Sequence, residues 1–218
     1  MAERDGNPFL TVLFVGVVGV AAALIVSASY DFSEDRIAAN QRARLIASLN
    51  SVLDPSLRER DLATIRLSVT DEELLGDDDP VDVFVALENG QPMAIVFASV
   101  APHGYNAAIS LLIGISPSST VTGVRVVSHR ETPGLGDAIE VDKTDWIRQF
   151  DSTSLQMPPL EGWGVKKDEG GEFDSLTGAT VTSRAVVNAV KNTLLYFEQH
   201  REEIYAAALS QRSDAPAE

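Results

Sequence analysis

Val81-Asp82-Val83-Phe84-Val85-Ala86-Leu87-Glu88-Asn89-Gly90-Gln91-Pro92-Met93-Ala94-Ile95-Val96-Phe97 is the stretch that decides the fold class. Two runs rich in Val, Ile and Phe flank an Asn-Gly pair, which is the strongest short-range signal for a β-hairpin. A second pair of β-rich runs, Ile109 to Ile115 and Val121 to Val127, is separated by Ser116-Pro117-Ser118-Ser119. The four runs predict an antiparallel sheet with a hydrophobic face. Downstream, Val186, Val187, Val190, Leu194 and Phe197 recur at helical spacing, so a long helix is expected from Ser183 to about Leu209. Thr144 to Phe150 reads as a short helix, and Trp163 to Asp174 as Gly-rich and irregular. Asp77-Asp78-Asp79 before Pro80 reads as a solvated loop. Three adjacent Asp residues lack the alternate spacing of an EF-hand calcium loop. The class is therefore α+β, a mainly antiparallel sheet with flanking helices, over residues 61–209.

Upstream of this domain, Phe9 to Tyr30 contains no charged residue. At helical rise that length crosses a hydrocarbon core, and Pro8 sits at a favoured helix start. Residues 9–30 are thus expected to form a single transmembrane helix, preceded by a tail at 1–8. A cleaved signal peptide ending near Val26-Ser27-Ala28 competes, but the apolar run is long and the leader Glu3-Arg4-Asp5 is not clearly basic. Charge leaves the orientation open, because Arg36, Arg42 and Arg44 weakly favour an inside domain while long domains translocate regardless. Residues 31–60 are expected to hold an amphipathic linker helix, with Ile37, Leu45, Ile46, Leu49 and Leu53 on one face and Asp54-Pro55 at its end. Residues 210–218 read as a polar, disordered tail.

Bulk charge narrows the function classes. There are 17 Lys and Arg against 32 Asp and Glu, a net charge of −15. Such a chain repels phosphate backbones and anionic lipid head groups, which argues against nucleic-acid binding and surface-electrostatic membrane attachment. There is no cysteine. Disulfides, iron–sulfur clusters, thiolate zinc sites and cysteine nucleophiles are therefore excluded. No metal-ligand spacing stands out, so redox chemistry would need an organic cofactor.

Two constellations carry chemistry. The first is Asp174-Ser175-Leu176-Thr177-Gly178-Ala179-Thr180, followed by Val181-Thr182-Ser183, at the start of the long helix. Converging hydroxyls, a glycine turn and unpaired helix N–H groups suit a phosphate. The same residues also suit simple capping by Thr182 or Ser183. The second is His129-Arg130-Glu131-Thr132-Pro133-Gly134-Leu135-Gly136-Asp137, after a strand. Pro133-Gly134 predicts a type II turn, and Gly136 a close backbone approach. Such a loop suits either a flat ring system or an ordinary strand-to-helix connection. His129 beside it is open to a flavin contact or a structural role, and Tyr105 to ring stacking or core packing. Trp146 and Trp163 read as core, and His200 as a partner of the helix C-terminal dipole.

Together, the one N-terminal span, Pro102-His103-Gly104-Tyr105, the Glu131 to Asp137 loop, Trp146 to Phe150 and Asp174 to Thr180 resemble the RnfG family of Rnf-type membrane electron-transport complexes. The last stretch is similar to the flavin-transferase pattern Asp-x-x-Ser/Thr-Gly-Ala-Thr. The resemblance implies that Thr180 receives FMN from FAD as a phosphoester, making the chain a phosphoprotein in that sense. It implies a cofactor site of Thr177, Gly178, Ala179, Thr180, Thr182, Glu131, Thr132, Gly134, Leu135 and Gly136, with no catalytic residue and no metal. It further implies an electron carrier coupled to ion translocation, with no complete turnover alone. Its partners would be other membrane and iron–sulfur subunits and a flavin transferase. Its place would be the bacterial inner membrane, with the domain on the periplasmic side. NqrC, a related subunit of the sodium-pumping NADH:quinone reductase, shares both motifs but is longer. A flavin-free, membrane-tethered binding module is the alternative of a different class.

Overall fold

The Asn89-Gly90 hairpin forms as expected, with both turn residues at positive φ (52° and 83°). This is the twist-compatible turn for antiparallel strands. A computed structural model describes residues 14, 16, 18, 19, 46–58, 60, 62–168 and 170–214. The expected membrane span Phe9 to Tyr30 lies outside the described residues, apart from four helical positions, as do the tail at 1–8 and most of the 31–60 linker. Among the described residues no helix is long and apolar enough to cross a membrane. The chain divides into Met1–Ala47 and Ser48–Glu218, and the architecture below is that of the second unit.

Five strands form one antiparallel meander: β1 (Ala63–Asp71), β2 (Asp77–Glu88), β3 (Gln91–Ala101), β4 (Ile109–Ile115) and β5 (Val121–Ser128). A short helix α1 (Glu72–Leu75) joins β1 to β2, and the long helix α2 (Thr180–Asp214) closes the chain. Strand side chains alternate faces. Val83, Val85, Leu87, Ile95, Phe97, Leu111, Ile113 and Ile115 therefore point to one side, where Val186, Val187, Val190, Leu194 and Phe197 of α2 cover them. Phe84, Ala86, Ala94, Val96 and Leu112 point to the other side, where Leu49, Val52, Leu53 and Leu57 cover them. The Val52 carbonyl reaches the sheet and accepts the Thr122 hydroxyl at 2.6 Å. Gly114 and Gly123, paired across β4 and β5, leave room for it.

Several boundaries differ from the sequence reading. Strand β1 carries little signal in the sequence, because only Ile65, Leu67 and Val69 alternate, on an edge strand otherwise made of polar and exposed residues. Asp77 to Asp79 belong to β2 rather than to a loop, although Asp78 and Asp79 remain exposed. Edge extensions of this kind tolerate acidic residues because their side chains stay in water. Helix α2 begins at Thr180, three residues early, and continues through Asp214 into the segment expected as a disordered tail. Helical hydrogen bonding propagates through its polar last turns, and Ala208 remains fully buried near that end. In the linker, Ile46 is about half exposed while Val52 is fully buried. The expected short helix is a 3-10 turn, Trp146–Phe150.

Candidate functional site

The polar start of α2 is where the two sequence constellations meet. Leu135 closes a turn by donating its N–H to the Thr132 carbonyl at 3.1 Å, with Gly134 at φ 79°. This is the type II geometry that Pro-Gly predicts. Gly178 lies against Leu135: a Cβ on Gly178 would come within 3.1 Å of the Leu135 Cδ2. Gly136 sits deeper. A Cβ there would fall 2.9 Å from both Cβ and Oε2 of Glu131, and 3.1 Å from the Thr182 hydroxyl. Glycine at 136 is therefore a packing requirement between the two motifs.

Glu131 organises this junction. It is 4% exposed, and its carboxylate accepts from the Tyr105 and Asn106 N–H groups (3.3 and 3.1 Å) and from the Thr182 hydroxyl. Asn106 adds bonds from its side-chain amide to the Arg130 carbonyl (2.9 Å) and the Thr132 hydroxyl (3.2 Å). A buried carboxylate needs several donors to offset lost hydration. Here distant chain segments supply them, so Glu131 is a buried organising group. Thr182 is likewise buried and bonded to Glu131 rather than capping the helix. Ser183 ties the motif from behind: its hydroxyl accepts the Leu176 N–H at 2.9 Å and donates to the Ala179 carbonyl at 3.0 Å. Neither residue is a simple cap: Thr182 bonds a residue 51 positions away, and Ser183 links the helix's first turn to the Leu176 backbone ahead of it.

His129 accepts the Glu131 N–H through Nδ1 at 3.0 Å, and its Nε2 lies 2.9 Å from Glu140. That satisfies both ring nitrogens within the protein, the structural role rather than a ligand contact. Lys143 bonds Asp137 at 2.6 Å and Glu140 at 2.8 Å. The Lys143 ammonium holds both carboxyls below the usual carboxylate range, and the pair raises the lysine in turn. Trp146 anchors the other motif by donating Nε1–H to the Asp174 carbonyl at 2.8 Å, while the Asp174 N–H donates to Gln149 at 2.8 Å. Trp163 is buried and packs on Phe150 and Phe173 as core. Tyr105 is 68% exposed, so the core reading of that residue fails. His200 is on the far half of α2, against Tyr196 and Glu203.

Thr180 is the first residue of a 35-residue helix, and its side chain is half-buried. The N–H groups of that first turn have no acceptor inside the helix. The Lys167 ammonium donates to the Thr180 Oγ1 at 3.0 Å. Thr177 and Gly178 are exposed beside it, whereas Ala179 is buried. A cleft of ≈ 1070 Å³ opens next to the helix start, lined among others by Val181, Arg184, Asn188, Pro102 and His103. The Thr132 to Gly136 loop does not line it and meets the helix start at Gly178 instead. Lys167 and Asn106 escape sequence reasoning, since single polar residues in irregular segments carry no periodic signal, and Arg184 does so because its partner Asp168 lies outside the helix.

Comparison with known proteins agrees with this geometry. Residues 104–195 match the FMN-binding domain family, a span that contains both motifs. The G subunit of the ion-translocating oxidoreductase complex from Pseudomonas aeruginosa is 42% identical over 194 residues, covering 89% of this chain and 90% of that protein. The chain belongs to the RnfG family. The Vibrio vulnificus member of the family is 41% identical over 192 residues (88% of this chain, 90% of the relative). The Pseudoalteromonas atlantica member is 36% identical over 201 residues (92% and 93%). This RnfG-family chain thus carries an FMN-binding domain whose two motifs are joined through Glu131, Gly136 and Thr182.

Proposed function

We propose that this chain is an electron-carrying flavoprotein subunit of an Rnf-type complex, with FMN held through a phosphoester on Thr180. The observation that carries the reading is the Thr180 hydroxyl itself. It stands half-buried at the positive end of α2, with a lysine ammonium on its oxygen. First-turn N–H groups that lack an acceptor inside the helix and a nearby cation match the needs of a phosphate. The adjoining cleft is just above the usual size range of small-molecule and cofactor sites, large enough for an organic cofactor. The donor set therefore fits the group that the family binds. When bound, FMN supplies one- and two-electron redox chemistry, while the protein supplies position and electrostatics.

The residues divide the work. Thr180 provides the attachment, and Thr177, Gly178 and the first turn of α2 surround the phosphate. Thr132, Gly134 and Leu135 present an exposed edge beside Gly178, and Glu131 and Thr182 hold that edge to the helix. A Thr hydroxyl is a weak nucleophile unaided, so a separate flavin transferase forms the bond. A tethered flavin cannot dissociate, which suits a carrier shuttling electrons between other subunits. Those partners include iron–sulfur and membrane subunits, and electron flow through them is coupled to ion translocation. The uncharged run Phe9 to Tyr30 supports a single membrane span, and the likeness to the RnfG family is what favours the bacterial inner membrane with the domain on the periplasmic side. The NqrC-like reading loses ground to the family relationship, and a flavin-free module to the FMN-binding domain.

Intact mass of native material, with peptide mapping, tests the attachment. The expected gain is one FMN less one water, on the peptide containing Thr180. Thr180→Ala is expected to abolish it completely while leaving the fold unchanged. An unmodified Thr180 in material from the native host, or covalent flavin surviving in Thr180→Ala, overturns the assignment.

A further inference from the structure

Three cations surround the start of α2, and their partners differ. Arg184 grips Asp168 with two bonds of 2.8 and 2.6 Å. Lys166 bonds Asp174 at 2.7 Å. Lys167 has no carboxylate partner among the described residues, and its one bond goes to the neutral Thr180 hydroxyl at 3.0 Å. Two charges are therefore neutralised by the protein itself, and the third is directed at the oxygen that is to be modified. Asp168 and Asp174 keep Arg184 and Lys166 in place, so they do not compete for that position. Lys167 lies outside the Asp174 to Thr180 pattern, which explains why no motif points to it.

We propose that Lys167 is the phosphate-binding residue of the attachment site, guiding flavin transfer to Thr180 and then serving as counter-ion to the finished phosphodiester. The proposal rests on Thr180 as the attachment point. In the transfer, the Thr180 oxygen forms a bond to the phosphorus that bears the riboflavin. The anhydride bond of the flavin dinucleotide breaks, and AMP leaves with the electron pair. The hydroxyl proton passes to a base on the transferase. Lys167 contributes a fixed positive charge beside the incoming phosphoryl group, where negative charge accumulates. After transfer, the same ammonium faces one anionic diester, so a cation that had only a hydroxyl acquires a partner of opposite sign.

The test uses the full-length chain, prepared without flavin, then incubated with the flavin transferase and FAD under conditions that load the native chain. Covalent flavin is followed by fluorescence of the denatured protein, and melting of the flavin-free chain is measured in parallel. Lys167→Met is expected to load roughly fivefold more slowly at low salt, the scale of an exposed charge interaction. Lys167→Arg should restore most of the rate. The gap between native and Lys167→Met should narrow as salt screens the charge. Melting should be unchanged in both variants, since Lys167 is exposed. Loading of Lys167→Met at the native rate overturns the proposal, as does Lys167→Arg loading as slowly as Lys167→Met. If the native chain gains no flavin at Thr180, the attachment itself is wrong and this inference falls with it.

Discussion

The sheet-and-helix scaffold and the junction at the start of α2 are stabilised in opposite ways. Behind the site, α2 covers a face of fully buried Val, Ile, Leu and Phe side chains. Dispersion and burial there are shared over many residues, so no single contact fixes the outcome. At the junction, distant chain segments converge on one carboxylate, Glu131, through directional bonds. Burial tolerates small shifts, whereas hydrogen bonds fix angle and distance. The scaffold thus keeps the chain folded, and the junction sets where the Thr180 end of the helix stands relative to the Pro-Gly loop.

The contrast is open to attack first at the scaffold. Phe97 is fully buried and meets Tyr196 and Phe197 edge-on. Phe97→Ala is expected to cost about 3–5 kcal/mol in denaturant unfolding, the usual range for a large core truncation. Flavin loading per folded molecule should stay native. A matching drop in loading would mean that the core, and not the junction, positions Thr180.

A smaller stability loss with a larger effect on the site is expected from Glu131→Gln. One carboxylate oxygen becomes an amide that opposes a donor, at about 1–3 kcal/mol. Covalent loading should fall even where the chain is fully folded. Native loading would demote Glu131 to an ordinary buried hydrogen-bonding residue.

The smallest effect belongs to Lys143, which shows how far the junction extends. Asp137 and Glu140 are held below the usual carboxylate range in the folded chain by Lys143. Their contribution is therefore present above the ordinary carboxylate pKa, about 4, and is lost as pH falls through the depressed folded values. Lys143→Met should lower Tm modestly at neutral pH, and the gap to native should close under acid conditions. A gap independent of pH would place the lysine's role in packing rather than charge.

Much of the scaffold is legible in the linear chain. The Asn89-Gly90 hairpin and strands β3 and β4 follow from β-rich runs around turn residues, and the buried stripe of α2 from a period of 3.6. Strand β1 is not, since its one apolar face hides among Thr, Arg and Ser. The site is partly legible. Gly134, Gly136, Gly178 and Thr180 stand in recognisable patterns, and the type II turn is where Pro133-Gly134 puts it. The roles of Glu131 and Thr182 are not readable, because their bond spans 51 positions. Lys167 is invisible for the same reason, with its partner 13 residues away across an irregular loop.

Near-neighbour preferences written into the chain dictate most of the strands and the last helix, where the backbone turns, and that a hydroxyl cluster opens that helix. These follow from local backbone geometry and hydrophobic spacing, which act over a few residues at a time. The packed fold alone settles that the Pro-Gly loop and the Thr180 motif share one buried carboxylate, and which of three neighbouring cations faces the Thr180 oxygen. Those outcomes depend on side chains distant in the chain competing for the same few donors and acceptors, and that competition is resolved once the sheet and α2 have come together.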